Sequence, residues 1–236
     1  MNTTTNFQER TARSISLTRG FSLVELLVTL SILAILTVIS FPSVAGLGTS
    51  GRFNSSVAGL SETLSLARQT AVAHNTYVWV AFATPATSTS PSLGTLVVAS
   101  TDGTNPFSTD WSSSVTLPDS RFLVVTQRVN YTQCQFLDSG VLTSQQIATL
   151  PLPAGASSNA LATNLSFTVN APAGPATYNR VFEYTPSGMA YNGPNPVAFV
   201  EFGVQPGPIA SSTATSKNVA CFRVPFITGR TLLYRP

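Results

Sequence analysis

Few side chains in this sequence are of the kinds that do chemistry, and their spacing decides what they can do. There is one histidine, His74, with two cysteines, Cys134 and Cys221, and nine carboxylates. A Ser-His-Asp set would have to use His74, which falls on a predicted helix with no nucleophile motif nearby. One imidazole without a Cys-x-x-Cys pair does not make a metal site. Gly46-x-Gly48-x-x-Gly51 has the outline of a phosphate loop, but it follows an apolar helix and lacks the strand-to-helix context. Asp102, Asp110, Asp119, Asp138, Glu183 and Glu201 are scattered. Asp102-Gly103-Thr104-Asn105 reads as a turn and only weakly as a calcium loop. No catalytic residue, metal or cofactor is expected. The carboxylate that stands out is Glu25.

Glu25 is the only charge in the run Phe21 to Phe41. As a helix these 21 residues would measure about 31 Å, against a hydrocarbon core of roughly 30 Å. The run is therefore expected to span a bilayer. A cleaved secretory signal is the competing expectation, with Ser43-Val44-Ala45 as its cleavage site. Such a signal has an apolar region of only about 7–15 residues. It also has no use for a carboxylate that costs about 2.5–3.5 kcal/mol near the membrane centre.

Gly20-Phe21-Ser22-Leu23-Val24-Glu25-Leu26-Leu27, after a basic leader, resembles the class III leader of type IV prepilins and type II secretion pseudopilins. The resemblance implies that a prepilin peptidase/N-methyltransferase cuts between Gly20 and Phe21 and methylates the Phe21 amine. It also implies that Glu25 acts in subunit assembly. In a filament the Glu25 carboxylate of one subunit would pair with the Phe21 amine of a neighbour. Two charges unfavourable in lipid would then offset each other and set register.

Three arginines, Arg10, Arg13 and Arg19, precede the run and only Arg52 follows closely. The positive-inside bias puts the N-terminus in the cytoplasm and exports the remainder. The expectation is a single-pass inner membrane protein with a periplasmic C-terminal domain. Loss of residues 1–20 also removes Glu9 and lowers the formal charge from +3 to +1, so the basic pI says little about a nucleic-acid partner. Charged residues make up 9% of the chain, against about 25% in a typical domain. In an oxidising compartment Cys134 and Cys221 would either close a disulfide or remain buried free thiols.

The expected fold class is α+β and pilin-like: a long N-terminal helix, half transmembrane and half amphipathic, packed on an antiparallel β-sheet domain. The parts are a leader at 1–20, a transmembrane helix at 21–42, a hinge and amphipathic helix at 43–75, and the β domain at 76–236. Pro42 predicts a kink where the span ends, and Gly46, Gly48 and Gly51 a linker or hinge. Phe53, Val57, Leu60, Leu64, Ala67 and Ala71 recur at helical spacing and predict a buried stripe. Glu62 and Arg68 read as solvated charges, and His74 as a capping or surface residue.

Strands are expected at 76–82, 94–100, 121–129, 164–169, 180–185, 196–202, 219–225 and 230–234. Stretches 83–93, 101–119, 138–163 and 204–217 read as long surface loops.

Phe182-Glu183-Tyr184-Thr185-Pro186-Ser187-Gly188, Phe222-Arg223-Val224 and Thr228-Gly229-Arg230, with Leu66-Ala67-Arg68, resemble the GspH/FimT-like minor pilins. This implies a non-enzymatic minor pseudopilin of a type II secretion pseudopilus, partnered by other pilins or pseudopilins. The alternatives are a minor type IV pilin, including FimT-like DNA uptake, and a surface-binding β domain on a pilin anchor. FimT-like DNA binding uses a C-terminal Gly-Arg-x-Arg element. Here Leu232 replaces its second arginine, which leaves Arg223, Arg230 and Arg235 as weak nucleic-acid candidates.

Overall fold

The computed structural model describes residues 22–83, 92–137, 158–159, 161, 164–170, 175–194, 197–207 and 218–235, without the side chains of 38–49, 127–128 and 158–159. The leader, Phe21, Asp138 and most of the loops expected at 83–93, 138–163 and 204–217 lie outside these residues. The chain divides into two compact units, 1–45 and 46–236.

One helix, α1 (Leu23–Ala73), enters both units. It does not stop at Phe41–Pro42, and the glycines that follow do not form a separate linker. A proline inside a helix removes one hydrogen bond, and each glycine costs only about 0.5–1 kcal/mol relative to alanine. The flanking turns tolerate both.

In the second unit the predicted stripe faces inward. Phe53, Val57, Leu60, Leu64, Ala67 and Ala71 are fully buried, while Ser55, Glu62, Ser65 and Gln69 are exposed. The helix ends in a left-handed turn at Asn75 (φ 49°). There the Asn75 and Thr76 N–H groups bond Val72 O at 3.4 Å and Ala71 O at 3.0 Å, closing carbonyls the helix leaves open. His74 is exposed beside this turn.

Thirteen strands follow among the described residues. β1 (Val78–Ala83), β2 (Ser92–Ser100), β4 (Phe122–Thr132), β9 (Arg180–Tyr184) and β10 (Ala190–Tyr191) form a sheet in the order β10-β9-β1-β2-β4. Its hydrogen-bonded neighbours are all antiparallel. β5 (Gln135–Leu137), β11 (Phe199–Gln205), β12 (Ala220–Pro225) and β13 (Leu232–Tyr234) form a second, β13-β12-β11-β5. The short β6 (Ser158–Asn159) pairs parallel to β11. β3 (Ser114–Leu117), β7 (Ser166–Val169) and β8 (Ala176–Tyr178) form a third sheet, with β3 and β7 parallel.

Side-chain alternation sorts these strands onto two cores. Val78, Val80 and Phe82 of β1 join Phe182 and Tyr184, then Val200, Phe202, Val204 and Phe222 of the second sheet, around the helix stripe. Trp79 and Ala81 point the other way, into a core with Leu96, Val98, Phe122, Phe167, Tyr178 and Val181. β1 is thus buried on both faces, as its run of β-branched and aromatic residues predicts. Gly59 lets β4 approach α1 closely: a Cβ there would meet the Tyr131 ring at 3.1 Å. The Tyr131 hydroxyl donates to Gly59 O at 3.0 Å and lies 2.6 Å from the Thr63 hydroxyl.

The segment 101–119 is not a surface insertion. Phe107, Trp111, Val115 and Leu117 are buried in the second core. Phe107 meets Trp79 edge-on at 5.4 Å and stacks on Phe122 at 5.8 Å. Asp102, Asn105, Asp110 and Asp119 each accept, through Oδ1, the N–H two residues on, at 2.7–3.0 Å. These Asx turns bend the chain back on itself without a sheet ladder. Their Asx-x-x spacing is the signal the strand periodicity missed.

Candidate functional site

The N-terminal helix is unusual in what it leaves uncovered. From Leu23 to Leu36 every Leu, Ile and Val side chain is about half exposed or more, from 49% at Val28 to 78% at Leu23. These residues point all round the helix, so this part is not an amphipathic helix on a core. Its polar side chains are silenced internally. Thr29 Oγ1 donates to Leu26 O at 2.9 Å, Ser31 Oγ to Leu27 O at 2.8 Å, and Thr37 Oγ1 to Ala34 O at 2.8 Å. Hydroxyls satisfied this way can enter an apolar medium at little cost. Glu25, in the first turn of α1, is exposed. Its carboxylate has no hydrogen bond or ion pair among the described residues.

Among the described residues no helix is long and apolar enough to cross a membrane. The described side chains of the apolar run extend from Ser22 to Thr37, about 24 Å of helix. Phe21 and residues 38–41 lie outside them.

In the second unit the loosely matched sequence patterns meet at one junction. Arg68 Nε donates to Thr228 O at 3.0 Å and Gly188 O at 3.3 Å, tying α1 to the turns at 185–189 and 225–229. Arg68 is thus a structural strut, half-buried, and not the solvated charge its sequence setting suggests. Its role was invisible because both partners are backbone carbonyls more than a hundred residues away.

The three candidate nucleic-acid arginines do not form one patch. Arg223 is buried, with its Nε 2.8 Å from Glu201 Oε2 and its guanidinium over Phe199 at 4.5 Å and Tyr234 at 5.5 Å. It cannot reach a phosphate, which corrects the sequence expectation. Arg235 donates to Asn54 Oδ1 at 2.8 Å. Arg230 is exposed, beside Arg68, Ser65, Gln69 and Thr231 on a cleft of about 280 Å³.

The cysteines are free thiols. Cys134 lies in the core under α1, and Cys221 on the opposite face of the second sheet with Leu137 and Val219. The sheet itself separates them, so the disulfide expectation is corrected. Burial pushes both thiols up to about 12. His74 lines an open cleft of about 690 Å³ with Thr70, Asn75, Ser100 and Asp102. Asp102 is occupied in its own turn by the Thr104 N–H and then the Ser100 and Thr104 hydroxyls, which hold its carboxyl down at about 2. Among the described residues no group of three or more metal-ligating side chains forms.

A helix followed by a larger, mainly antiparallel β domain is the architecture of pilin-like proteins, and the exposed apolar helix with its lone carboxylate is the part that suits assembly. Residues 15–41 match the family model of the prokaryotic N-terminal methylation motif, which supports a type IV pilin-like protein. That motif implies processing by a prepilin peptidase and assembly with other pilins in a filament. No curated protein matches this chain. No solved structure matches it.

Proposed function

We propose that this protein is a non-enzymatic minor pseudopilin, a structural subunit of a type II secretion pseudopilus that acts in assembly initiation or at the tip. The observation that carries the reading is the apolar helix after Ser22, exposed on all sides and self-satisfied except at Glu25. Prepilin peptidase cuts between Gly20 and Phe21, and the Phe21 amine is methylated. The helix of residues 21–42 holds the mature chain in the inner membrane, with the residues from 43 onward exported to the periplasm. Glu25 then pairs with the Phe21 amine of a neighbouring subunit. In a low-dielectric filament core that pairing offsets the cost of both charges.

A minor type IV pilin is the second reading, and the exposed Arg230 beside Arg68 favours it. DNA uptake has less support, because Arg223 is committed to Glu201. Mass spectrometry of the mature N-terminus tests the shared machinery. A chain beginning at methylated Phe21 is expected, and one beginning after Ala45 would overturn it. Loss of protein secretion, rather than of pili, on deletion separates the two readings.

A further inference from the structure

Glu183 has no part in the filament reading, yet it is the most unusual group in the β domain. It lies on β9, 4% exposed. Its Oε2 accepts from Trp79 Nε1 at 3.0 Å and from Asn105 Nδ2 at 2.9 Å; Oε1 lies 3.0 Å from the same Asn105 nitrogen. Both donors are neutral. The β1 side offers Trp79 and, stacked on it, Tyr77. β10 places Tyr191 at the paired position. On the covering segment, Asp102 and Asp110 are exposed and hold their own turns, and Arg121 is paired with Asp119 at 2.8 Å. Arg180, at the far end of β9, sits over the Phe136 ring. Among the described residues no cation compensates Glu183.

We infer that residues 102–113 form a proton-sensitive lid over the Trp79 core, with Glu183 as its latch, closed when the carboxyl is neutral and released when it is charged. At its two ends the lid is anchored where Asp102 Oδ1 accepts from Ser100 Oγ at 2.7 Å and Ser113 O accepts the Ser166 N–H at 2.9 Å. Between them its other holds are the rings of Phe107 and Trp111, which exclude water but are less directional than hydrogen bonds. Asn105 is its polar tie to the carboxylate, and Asn105 Oδ1 also accepts the Phe107 N–H at 2.9 Å. One side chain thus links the latch to the ring that seals the core. An ionised carboxylate in a nearly dry pocket lacks the solvation it would have in water, and bonds from two neutral donors offset this only in part. Burial accordingly raises the Glu183 carboxyl from 4.5 to about 7, against the opposing pull of Trp79 and then Asn105.

The direction follows from linkage. An open lid lets water reach the carboxylate and returns it to its ordinary value, so the closed form binds the proton more tightly. The proton's contribution to closure is complete below pH 4.5 and is lost as pH rises through about 7. Across that interval the opening constant grows about tenfold per pH unit, roughly 300-fold in all.

Hydrogen exchange at the Phe107 amide of the full-length protein in detergent reads this opening, once intrinsic base-catalysed exchange is divided out. The expected result is a tenfold rise per pH unit from 4.5 to 7, a plateau above, and a flat profile in Glu183→Gln. A flat wild-type profile, or the same slope in Glu183→Gln, would overturn the proposal. Should Glu183→Gln not fold, Asn105→Ala serves instead. It removes a donor that favours the charged form, so the plateau must move to higher pH, and an unmoved plateau overturns the proposal equally.

Discussion

Gly229→Ala puts the Arg68 junction under direct test. Gly229 has φ +56°, and an added Cβ would overlap Gly188 O and lie 3.0 Å from Gly188 C. Both obstacles are backbone, so no side chain can swing aside. Gly188 itself has φ +79°, and a Cβ there would meet Val72 Cγ2 at 2.9 Å. Three costs add. Left-handed backbone costs alanine about 1–2 kcal/mol, overpacking costs about 1–3 kcal/mol, and losing an Arg68 bond as the turns part costs about 0.5–1.5 kcal/mol. The sum, about 2.5–6.5 kcal/mol, is a large share of a typical domain stability of about 5–15 kcal/mol. Urea unfolding of the full-length protein in detergent, followed by tryptophan fluorescence, measures it as a lower midpoint at unchanged slope. Gly103→Ala is the control, since Gly103 has φ +73° and a Cβ there would meet only Asn75 O, at an ordinary 3.6 Å. It isolates the backbone term. A Gly229→Ala protein within about 1 kcal/mol of wild type would refute the steric reasoning.

Other expectations follow from the same geometry. Arg223→Met strands Glu201 as a buried, unpaired charge and should cost about 3–5 kcal/mol, while adding Glu201→Leu should restore most of it; chemical denaturation of both variants checks this. Native protein should resist thiol reagents at Cys134 and Cys221 and keep its melting temperature in reductant, because two buried thiols on opposite faces of a sheet carry no crosslink. Gly51→Ala, in helix with open space around it, should stabilise by about 0.5–1 kcal/mol, read as a raised melting temperature. Glu25→Val should enter the membrane but be absent from sheared filament fractions, whereas normal incorporation would remove the assembly role given to the carboxylate.

The one-dimensional pattern was enough wherever a side chain's burial follows from its own neighbours. The spacing of Phe53, Val57, Leu60, Leu64, Ala67 and Ala71 is a helix face, and it is the face that is buried. The apolar run with Glu25 four residues after Phe21 is likewise local, which is why the methylation motif could be read from residues 15–41 alone. Tertiary structure decided whatever depended on partners far along the chain. Only the fold sets Arg68 against carbonyls of Gly188 and Thr228, spends Arg223 on Glu201 instead of solvent, and puts a sheet between Cys134 and Cys221. It also turned segment 101–119 from a polar loop into the cover of a second core, because four Asx turns aim Phe107 and Trp111 at Trp79. Periodicity records which face of an element is apolar, but a hydrogen bond or ion pair between distant residues leaves no period to read.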